Sequence, residues 1–365
     1  MRIDEVSVFH VSMPLKAPWK TSFSVEHSID TILVRLRSGE VEGWGEAAPY
    51  ARPQFCAEWC PSAFLLVRDV FGPLLAGQEV ATAQDLNARL DPFKGNYFAK
   101  AAIETAWWDL WAKTKGEPLW RLIGGQSPEV AVGADIPVQE GTDKLLADVG
   151  AAVEAGFSRT KLKFRPDSGV GMVAAVREAF PDATLHIDCN CGFTLDDLPI
   201  FRELDRLGLA MIEQPLGWDD LVDHARLQAE LETPICLDES ITSVDRVRKA
   251  LDCGAARWIN IKHGRVGGVA NALEIHRLCI EREVPCWIGG MLESFVGQGV
   301  SLALGTLPGM AYAADIFPTG RLYADDLAGP EVHLSAPGQV VAPDRLGHGF
   351  VPDPDLLQRF LVTAG

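Results

Sequence analysis

The sequence predicts an α/β fold in which a barrel of parallel βα units follows an α+β region. From about residue 130 onward, short apolar segments alternate with helical segments, which is typical of parallel βα units. The polar residues that end the apolar segments recur about every 25 residues, which indicates a repeated unit. At 365 residues the chain also exceeds the size of one hydrophobic core, so two structural regions are expected.

The first region reads as strands followed by helices. Residues 1–50 contain the strand-like segments SVFHVSMPL, SIDTILVRLRSG and VEGWGEAAPY, with turn residues between them. From about Ser62 to Lys115 the apolar residues recur with a helical period, and FAKAAIETAWWDLWAK is the clearest amphipathic segment. These patterns predict an N-terminal α+β domain.

The second region contains six candidate strands, which are RTKLKF, TLHIDCN, LAMIEQP, PICLDES, RWINIKHG and PCWIGGM. Helical segments lie between them, and Gly208 and Gly254 stand where helix C-termini are expected. The polar residues at the strand ends keep a constant spacing: 25 residues from Lys163 to Asp188, 25 to Glu213, 25 to Asp238 and 24 to Lys262.

The same spacing extends in both directions along the chain. It reaches Gly289, Gly290 and Asp315 in one direction and the neighbourhood of Asp135 in the other. Eight units of this length predict a (β/α)8-type barrel. Because the active sites of such barrels lie at the C-terminal ends of the strands, these residues are expected to converge on one cleft.

Charge and composition exclude several classes of function. The formal net charge of −17 argues against nucleic acid and against an anionic membrane surface as partners. No apolar stretch is long enough for a membrane span, and the N-terminal segment MRIDEVSVFHVSMPLK does not have the pattern of a signal peptide. Since the eight cysteines lie mostly in apolar runs, we expect a reduced, cytoplasmic protein.

Three acidic residues, Asp188, Glu213 and Asp238, end three successive predicted strands. Their carboxylates would repel one another in a barrel mouth unless a cation neutralised them. Oxygen ligands of this kind suit Mg2+ or Mn2+. The sequence therefore predicts a divalent-metal site.

Three lysines fall in the same register. Lys161 and Lys163 are two residues apart on one strand and face the same side, whereas Lys262 comes from the other side of the barrel. A lysine acts as a base only if its pKa is lowered, and we expect the charge of Lys161 and a nearby metal to lower that of Lys163. By the same alternation, Cys189, Cys191 and His263 should face away from the site.

These parts predict removal of a proton next to a carboxylate. The metal would bind the substrate carboxylate and stabilise the enediolate that forms when the α-proton leaves. Return of the proton on the opposite face gives racemisation, whereas loss of a β-leaving group gives elimination. The residues predict removal of the α-proton, and they leave open whether racemisation or elimination follows.

The segments TKLKF, HIDCN, MIEQP, CLDES and NIKHGRVGG closely resemble those of the enolase superfamily, in its muconate-lactonizing-enzyme subgroup. Lysine bases with Mg2+ are known in this superfamily. KAPWKTSF, GWGEAAPY, GGMLES and ADIFPTGRLYADDL extend the resemblance over nearly the whole chain, toward the o-succinylbenzoate synthase and N-acylamino acid racemase branch. The small-molecule substrate would then be a carboxylic acid, and a homo-oligomer is expected.

The resemblance implies a modified (β/α)7β barrel over residues 126–325, a capping domain over residues 1–125, and a C-terminal segment, 326–365, that returns to the cap. It implies lid segments at Trp19–Phe23 and after Pro49. The residue roles that it implies are metal ligation by Asp188, Glu213 and Asp238, acid/base catalysis by Lys163 and Lys262, tuning of Lys262 by Arg265, and substrate contacts from Trp19, Asp135, Lys161, Asn190, Gly290 and Met291.

The chain departs from the branch at several positions. Cys189 and Cys191 flank Asn190, His263 replaces a usual proline, Asp135 stands where a small hydroxyl residue is expected, and FVGQG follows GGMLES. An acid at position 135 would favour a neutral or cationic substrate group. A racemase of N-acylamino acids or an o-succinylbenzoate synthase is the leading hypothesis; the alternatives are a cycloisomerase or dehydratase of another acid and a non-catalytic metal-binding barrel.

Overall fold

The computed structural model describes residues 1–21, 24–139, 141–316, 318–329 and 332–365. Four strands form an antiparallel sheet in the order β13-β1-β2-β3, with β1 at Glu5–Lys20, β2 at Val25–Ser38, β3 at Val41–Ala47 and β13 at Leu361–Ala364. Because β13 pairs antiparallel with β1, the C-terminus returns to the first sheet of the chain, as the resemblance implied.

A second sheet of seven parallel strands carries the predicted site. Its order along the sheet follows the chain order: β5 Ala134–Ile136, β6 Thr160–Lys163, β7 Leu185–Asp188, β8 Ile212–Glu213, β9 Ile235–Leu237, β10 Trp258–Ile261 and β11 Cys286–Ile288. All six candidate strands of the sequence are therefore present and neighbouring. A short two-stranded ladder joins β4, Glu129–Ala131, to β12, Gln339–Val341.

The helices fall into two sets. Those of the first region are α1 Cys60–Leu66, α2 Gly72–Leu75, α3 Ala83–Leu90, α4 Tyr97–Lys115 and α5 Leu119–Leu122, with a π-helical turn at Val67–Phe71. Those of the parallel region are α6 Thr142–Glu154, α7 Val170–Ala179, α8 Leu198–Leu204, α9 Val222–Ala229, α10 Val244–Asp252, α11 His263–Val266, α12 Val269–Glu281 and α13 Phe295–Gly305. A last helix, α14 Pro354–Phe360, directly precedes β13 and packs against β1 of the first sheet. None of these helices, within the described ranges, is long and apolar enough to cross a membrane.

The two edges of the parallel sheet are joined by an eighth, irregular segment at residues 311–316. The Asp315 amide donates to Ile288 O at 2.9 Å, on the β11 side. On the other side the Ala314 amide donates to Ala131 O at 2.8 Å, and Val132 forms a parallel bridge with Ala314. Seven strand–helix units followed by one extended segment constitute the expected (β/α)7β arrangement.

The boundaries expected at residues 125 and 325 stay predictions. The lid expected at Trp19–Phe23 is only partly described, because Ser22 and Phe23 lie outside the described residues. Trp19 itself belongs to the β1–β2 hairpin, where it pairs with Glu26.

Helix α4 lies between the two regions and is buried on nearly all sides, so the amphipathic pattern expected for it is wrong. One side packs against β3, where Gly43 and Gly45 permit close approach; a Cβ at Gly45 would lie 2.3 Å from Ala102 O. The other side packs against α11 and α12. A helix enclosed by two layers needs apolar residues on both faces.

We expect Gly45→Ala to lower the free energy of unfolding by about 3 kcal/mol, since the added methyl group overlaps the α4 backbone. Urea denaturation measures the change. Gly171→Ala is the control, because Gly171 is a helical residue with open space at its Cβ; it should shift stability by less than about 1 kcal/mol. Equal effects of the two substitutions would contradict the close α4–β3 packing.

Candidate active site

The predicted lysines and substrate contacts line one cavity at the C-terminal ends of the barrel strands, whereas Asp188, Glu213, Asp238 and Arg265 do not belong to its lining. Both predicted catalytic lysines, Lys163 and Lys262, line it. So do all six predicted substrate contacts, together with residues that the sequence did not single out for the site; the complete lining is Trp19, Thr21, Tyr50, Phe55, Asp135, Lys161, Lys163, Asn190, Lys262, Gly290, Met291, Leu292 and Asp315.

Each predicted acid/base lysine contacts one of the predicted metal ligands. Lys163 Nζ lies 2.6 Å from Asp188 Oδ2, and Lys262 Nζ lies 2.8 Å from Asp238 Oδ2. Parallel pairing explains the first contact, because Lys163 and Asp188 are register partners on β6 and β7. The second contact joins the end of β10 to the residue that follows β9.

Lys161 is surrounded by carboxylates. Its Nζ contacts Asp315 directly and lies 3.4 Å from Asp135, 3.8 Å from Asp188 and 3.9 Å from Glu213. Burial lowers the pKa of Lys161, but the four carboxylates outweigh it and hold that pKa well above the ordinary value. These contacts favour the protonated, positively charged form of Lys161.

The contacts around Lys163 oppose the lowering of its pKa that is expected from Lys161 and a bound metal, and that lowering stays a prediction. Burial and the neighbouring Lys161 charge do lower the pKa, but Asp188 at 2.6 Å outweighs both, and the net shift of the Lys163 pKa is upward. The sequence correctly identified Lys161 as a cationic neighbour of Lys163. It did not show that a carboxylate would contact the amine directly, since that distance depends on the side-chain conformations.

Glu213 is buried and held in place by side chains on other strands. Asn260 Nδ2 donates to its Oε1 at 2.6 Å, and His186 Nε2 lies 3.3 Å from its Oε2. Burial raises the pKa of Glu213, but Lys161 and His186 outweigh that effect, so the net pKa is lowered and the carboxylate is ionised. Neither Asn260 nor His186 was singled out in the sequence, because both lie inside apolar strand segments.

Arg265 forms an ion pair with Asp238, the carboxylate that also pairs with Lys262. The guanidinium further donates to Ile241 O at 2.6 Å and to Asn260 O at 2.7 Å. The sequence placed Arg265 next to Lys262, and the structure places it on the other oxygen of their shared carboxylate. Its tuning role stays a prediction.

The donor set of Asp188, Glu213 and Asp238 fits a hard divalent cation by its chemistry. All three side chains are buried, contribute only oxygens and come from successive strand ends. Within the ranges described, no three His, Cys, Asp or Glu side chains are already gathered as a metal site, and these three carboxylates contact the lysines, Arg265 and Asn260. The ligand assignment stays a prediction that the donor chemistry supports.

Arg159 is the main site residue that sequence reasoning missed, and Asp315, which the repeat length reached, was given no role in the sequence analysis. Asp315 contacts both Lys161 and Arg159, and Arg159 also donates to Ala134 O at 3.2 Å and Ala313 O at 3.1 Å. This buried chain ties the irregular segment 311–316 to β5 and β6. The repeat length pointed to Asp315, but no pattern indicated its partners. Arg159 looked like an ordinary residue at the start of a strand.

The chain turns sharply after Asp188, and strand alternation does not extend beyond it. Asn190 and Cys191 have φ of 42° and 63°. Cys189 is buried in the apolar core as expected, whereas Cys191 is only partly buried. His263 is buried with its Nε2 3.8 Å from Glu293 Oε1, and burial lowers its pKa to about 4. Neither cysteine nor His263 lines the cavity.

The segment after Pro49 contributes to the cavity wall, and its role as a lid stays a prediction. Tyr50 and Phe55 line the cavity, and the Phe55 ring centroid lies 5.1 Å from Lys262 Nζ. Trp19 and Thr21 contribute from the β1–β2 hairpin. The first region therefore supplies one wall of the cavity, called the roof below, through Trp19, Tyr50 and Phe55. The barrel supplies the opposite, charged wall, called the floor, through Lys161, Lys163 and Lys262.

A (β/α)7β barrel with this charged floor and a roof from a separate α+β region defines an enzyme of the enolase superfamily. More narrowly, the chain belongs to the mandelate racemase/muconate lactonizing enzyme family. Residues 3–124 match the N-terminal domain model of that family, and residues 144–356 match the enolase C-terminal domain-like model.

Relatives of established name cover the whole chain. It is 39% identical to the N-succinylamino acid racemase of Thermus thermophilus, with 100% of both chains covered. It is 41% identical to the o-succinylbenzoate synthase of Geobacillus stearothermophilus, with 100% of this chain and 97% of the relative covered. A Listeria innocua member of the enolase superfamily is similar in structure, with a TM-score of 0.96, 36% identity and coverage of 100% and 98%. These relatives do not favour the cycloisomerase or dehydratase alternative.

We expect Asp315→Asn to lower the free energy of unfolding by about 3 kcal/mol, because it leaves buried Arg159 and Lys161 short of one negative partner. Chemical denaturation measures the loss. Asp325→Asn is the matched control, since Asp325 pairs with Arg359 at 2.7 Å on the surface; it should cost less than about 1 kcal/mol. A loss no larger than that of the control would mean that Asp315 does not hold the site together.

Proposed function

We propose that this protein removes the α-proton of a small carboxylic acid through an enediolate, as an N-succinylamino acid racemase, an o-succinylbenzoate synthase, or both. One observation carries the proposal. Lys163 and Lys262 line the same cavity from β6 and β10, each in contact with a buried strand-end carboxylate. Full-length relatives with those two names support the reaction class.

The arrangement of the two lysines supports proton transfer on opposite faces of a substrate. Lys163 and Lys262 belong to strands separated by three others, β7, β8 and β9, so a planar enediolate between them would present one face to each. One amine takes the α-proton, and the other returns a proton from the opposite side. In a synthase reaction, the α-proton would be removed in the same way and a β-leaving group would depart.

Lys161 would bind the substrate carboxylate. Four carboxylates surround its Nζ and raise its pKa, which favours the protonated amine that a carboxylate would bind. The roof residues Trp19, Tyr50 and Phe55 would exclude water from the cavity. Asn190, Gly290 and Met291 lie on the same lining and are proposed substrate contacts.

Asp188, Glu213 and Asp238 would hold Mg2+ or Mn2+. When bound, such a cation supplies positive charge to the substrate carboxylate and to the enediolate. In the structure the same three side chains contact Lys161, Lys163, Lys262 and Arg265. We further propose a capping domain over residues 1–125, a barrel over 126–325, a returning C-terminal segment over 326–365, and a homo-oligomer.

The first test follows the α-proton by NMR in D2O with Mg2+, using both enantiomers of N-succinyl amino acids. Lys163→Ala and Lys262→Ala should each slow exchange from one enantiomer by about 10²–10⁴-fold, because each removes the base for one face. Lys249→Ala serves as the control, since Lys249 is an exposed lysine paired with Asp245. Full exchange in both active-site variants would rule out the two-lysine mechanism.

Asp135 provides a test of substrate preference. Its carboxylate lines the cavity, buried and 3.4 Å from Lys161. Asp135→Ser should raise the ratio of kcat/KM for N-succinyl amino acids to kcat/KM for N-acetyl amino acids by up to about tenfold. The reason is that the substitution removes a negative charge that repels the succinyl carboxylate. Asp135→Asn keeps the size without the charge and should act in the same direction. No gain with either variant would count against repulsion at this position.

A further inference from the structure

Glu104 is a buried acid of helix α4 that the proposed mechanism does not use. Its Oε2 accepts from the Val269 amide at 2.6 Å. Its Oε1 accepts from the Ala270 amide at 2.8 Å and from Trp108 Nε1 at 2.8 Å. Val269 and Ala270 begin α12, so Glu104, a residue of the first region, accepts hydrogen bonds from the N-terminal amides of a barrel helix.

The backbone between α12 and Lys262 is short and hydrogen-bonded at both ends. Lys262 immediately precedes α11, and its carbonyl accepts from the Val266 amide at 3.1 Å. The Gly268 amide, one residue before α12, donates to His263 O at 2.8 Å. A displacement of the first residues of α12 should therefore also displace the α11 turn, which Lys262 precedes.

Close packing fixes the same junction. Gly268 has a φ of 116°, and a Cβ there would lie 2.2 Å from Glu104 Oε2. The carboxylate thus occupies the space that any other residue at 268 would need. Phe98, on the same helix as Glu104, packs against α11, where a Cβ at Gly264 would lie 3.0 Å from its ring. Helix α4 supports the Lys262 turn at two points.

We infer that Glu104 is a positioning residue that sets the placement of Lys262 over one face of the substrate. The inference rests on the proposed function, because it takes Lys262 as the base for that face. Lys163 stands on β6 and contacts Asp188, and none of the Glu104 contacts reaches it. Loss of Glu104 should therefore disturb one proton transfer and spare the other.

The experiment compares initial α-proton exchange rates of the two enantiomers of one N-succinyl amino acid in D2O with Mg2+. The enantiomer served by Lys262 is the one whose exchange is lost in Lys262→Ala. In Glu104→Gln, exchange of that enantiomer should fall by about 10- to 100-fold, since small displacements of a catalytic group have effects of this size. Exchange of the other enantiomer should change less than about threefold.

Glu46→Gln is the matched control. Glu46 is also a buried glutamate of the first region, and it accepts from the Ser294 amide at 3.0 Å and the Gly297 amide at 2.8 Å at the start of α13. That helix follows β11, not β10. Glu46→Gln should therefore change both rates by the same factor. If Glu104→Gln does not fold, Trp108→Phe, which removes one of the three donors to Glu104, should give a smaller loss with the same preference for one enantiomer.

The outcomes separate the inference from the function on which it rests. Wild-type protein that exchanges neither enantiomer would overturn the racemase reaction of the proposed function, and with it the inference, which is stated for that reaction. Wild-type exchange combined with equal losses on both enantiomers in Glu104→Gln or Trp108→Phe would overturn the inference alone. So would an enantiomer preference of the same size in Glu46→Gln.

Discussion

The burial of charge at the C-terminal ends of the barrel strands is the constraint on which the rest of this structure depends. Lys161, Lys163 and Lys262 are buried or nearly so, and each must be balanced by a carboxylate at short range. Parallel strands in register supply that balance, because they bring residues about 25 positions apart in the chain to the same edge of the sheet. The regular spacing in the sequence reflects the length of one strand–helix unit.

The same balance extends beyond the residues that contact substrate. Arg159 and Asp315 continue the charge network from Lys161 into the barrel and add ion-pair contacts to segment 311–316, whose backbone also forms hydrogen bonds with its neighbours on both sides. The site and the closure of the barrel therefore share these ion pairs. A change that weakens the pairs would affect the fold as well as the chemistry.

The first region contributes more than a cover. It supplies the apolar roof through Tyr50 and Phe55, and its buried acids, Glu46 and Glu104, accept hydrogen bonds at the starts of α13 and α12. Buried glutamates of this kind are stable only with amide or hydroxyl donors, which the helix starts provide. The roof is thereby fixed relative to the strand ends beneath it.

The sequence by itself determined the barrel, the first α+β region and the polar residues that meet at the strand ends, because strand periodicity and repeat length are properties of the chain alone. Asp188, Glu213, Asp238, Lys163 and Lys262 were all located by spacing. Only the tertiary structure decided which charges touch: it set the upward pKa shift of Lys163, the placement of Arg265 on Asp238, the partners of Asp315 and the burial of both faces of α4. Each of these depends on side chains or layers brought together from distant parts of the chain, and no local pattern encodes such distances.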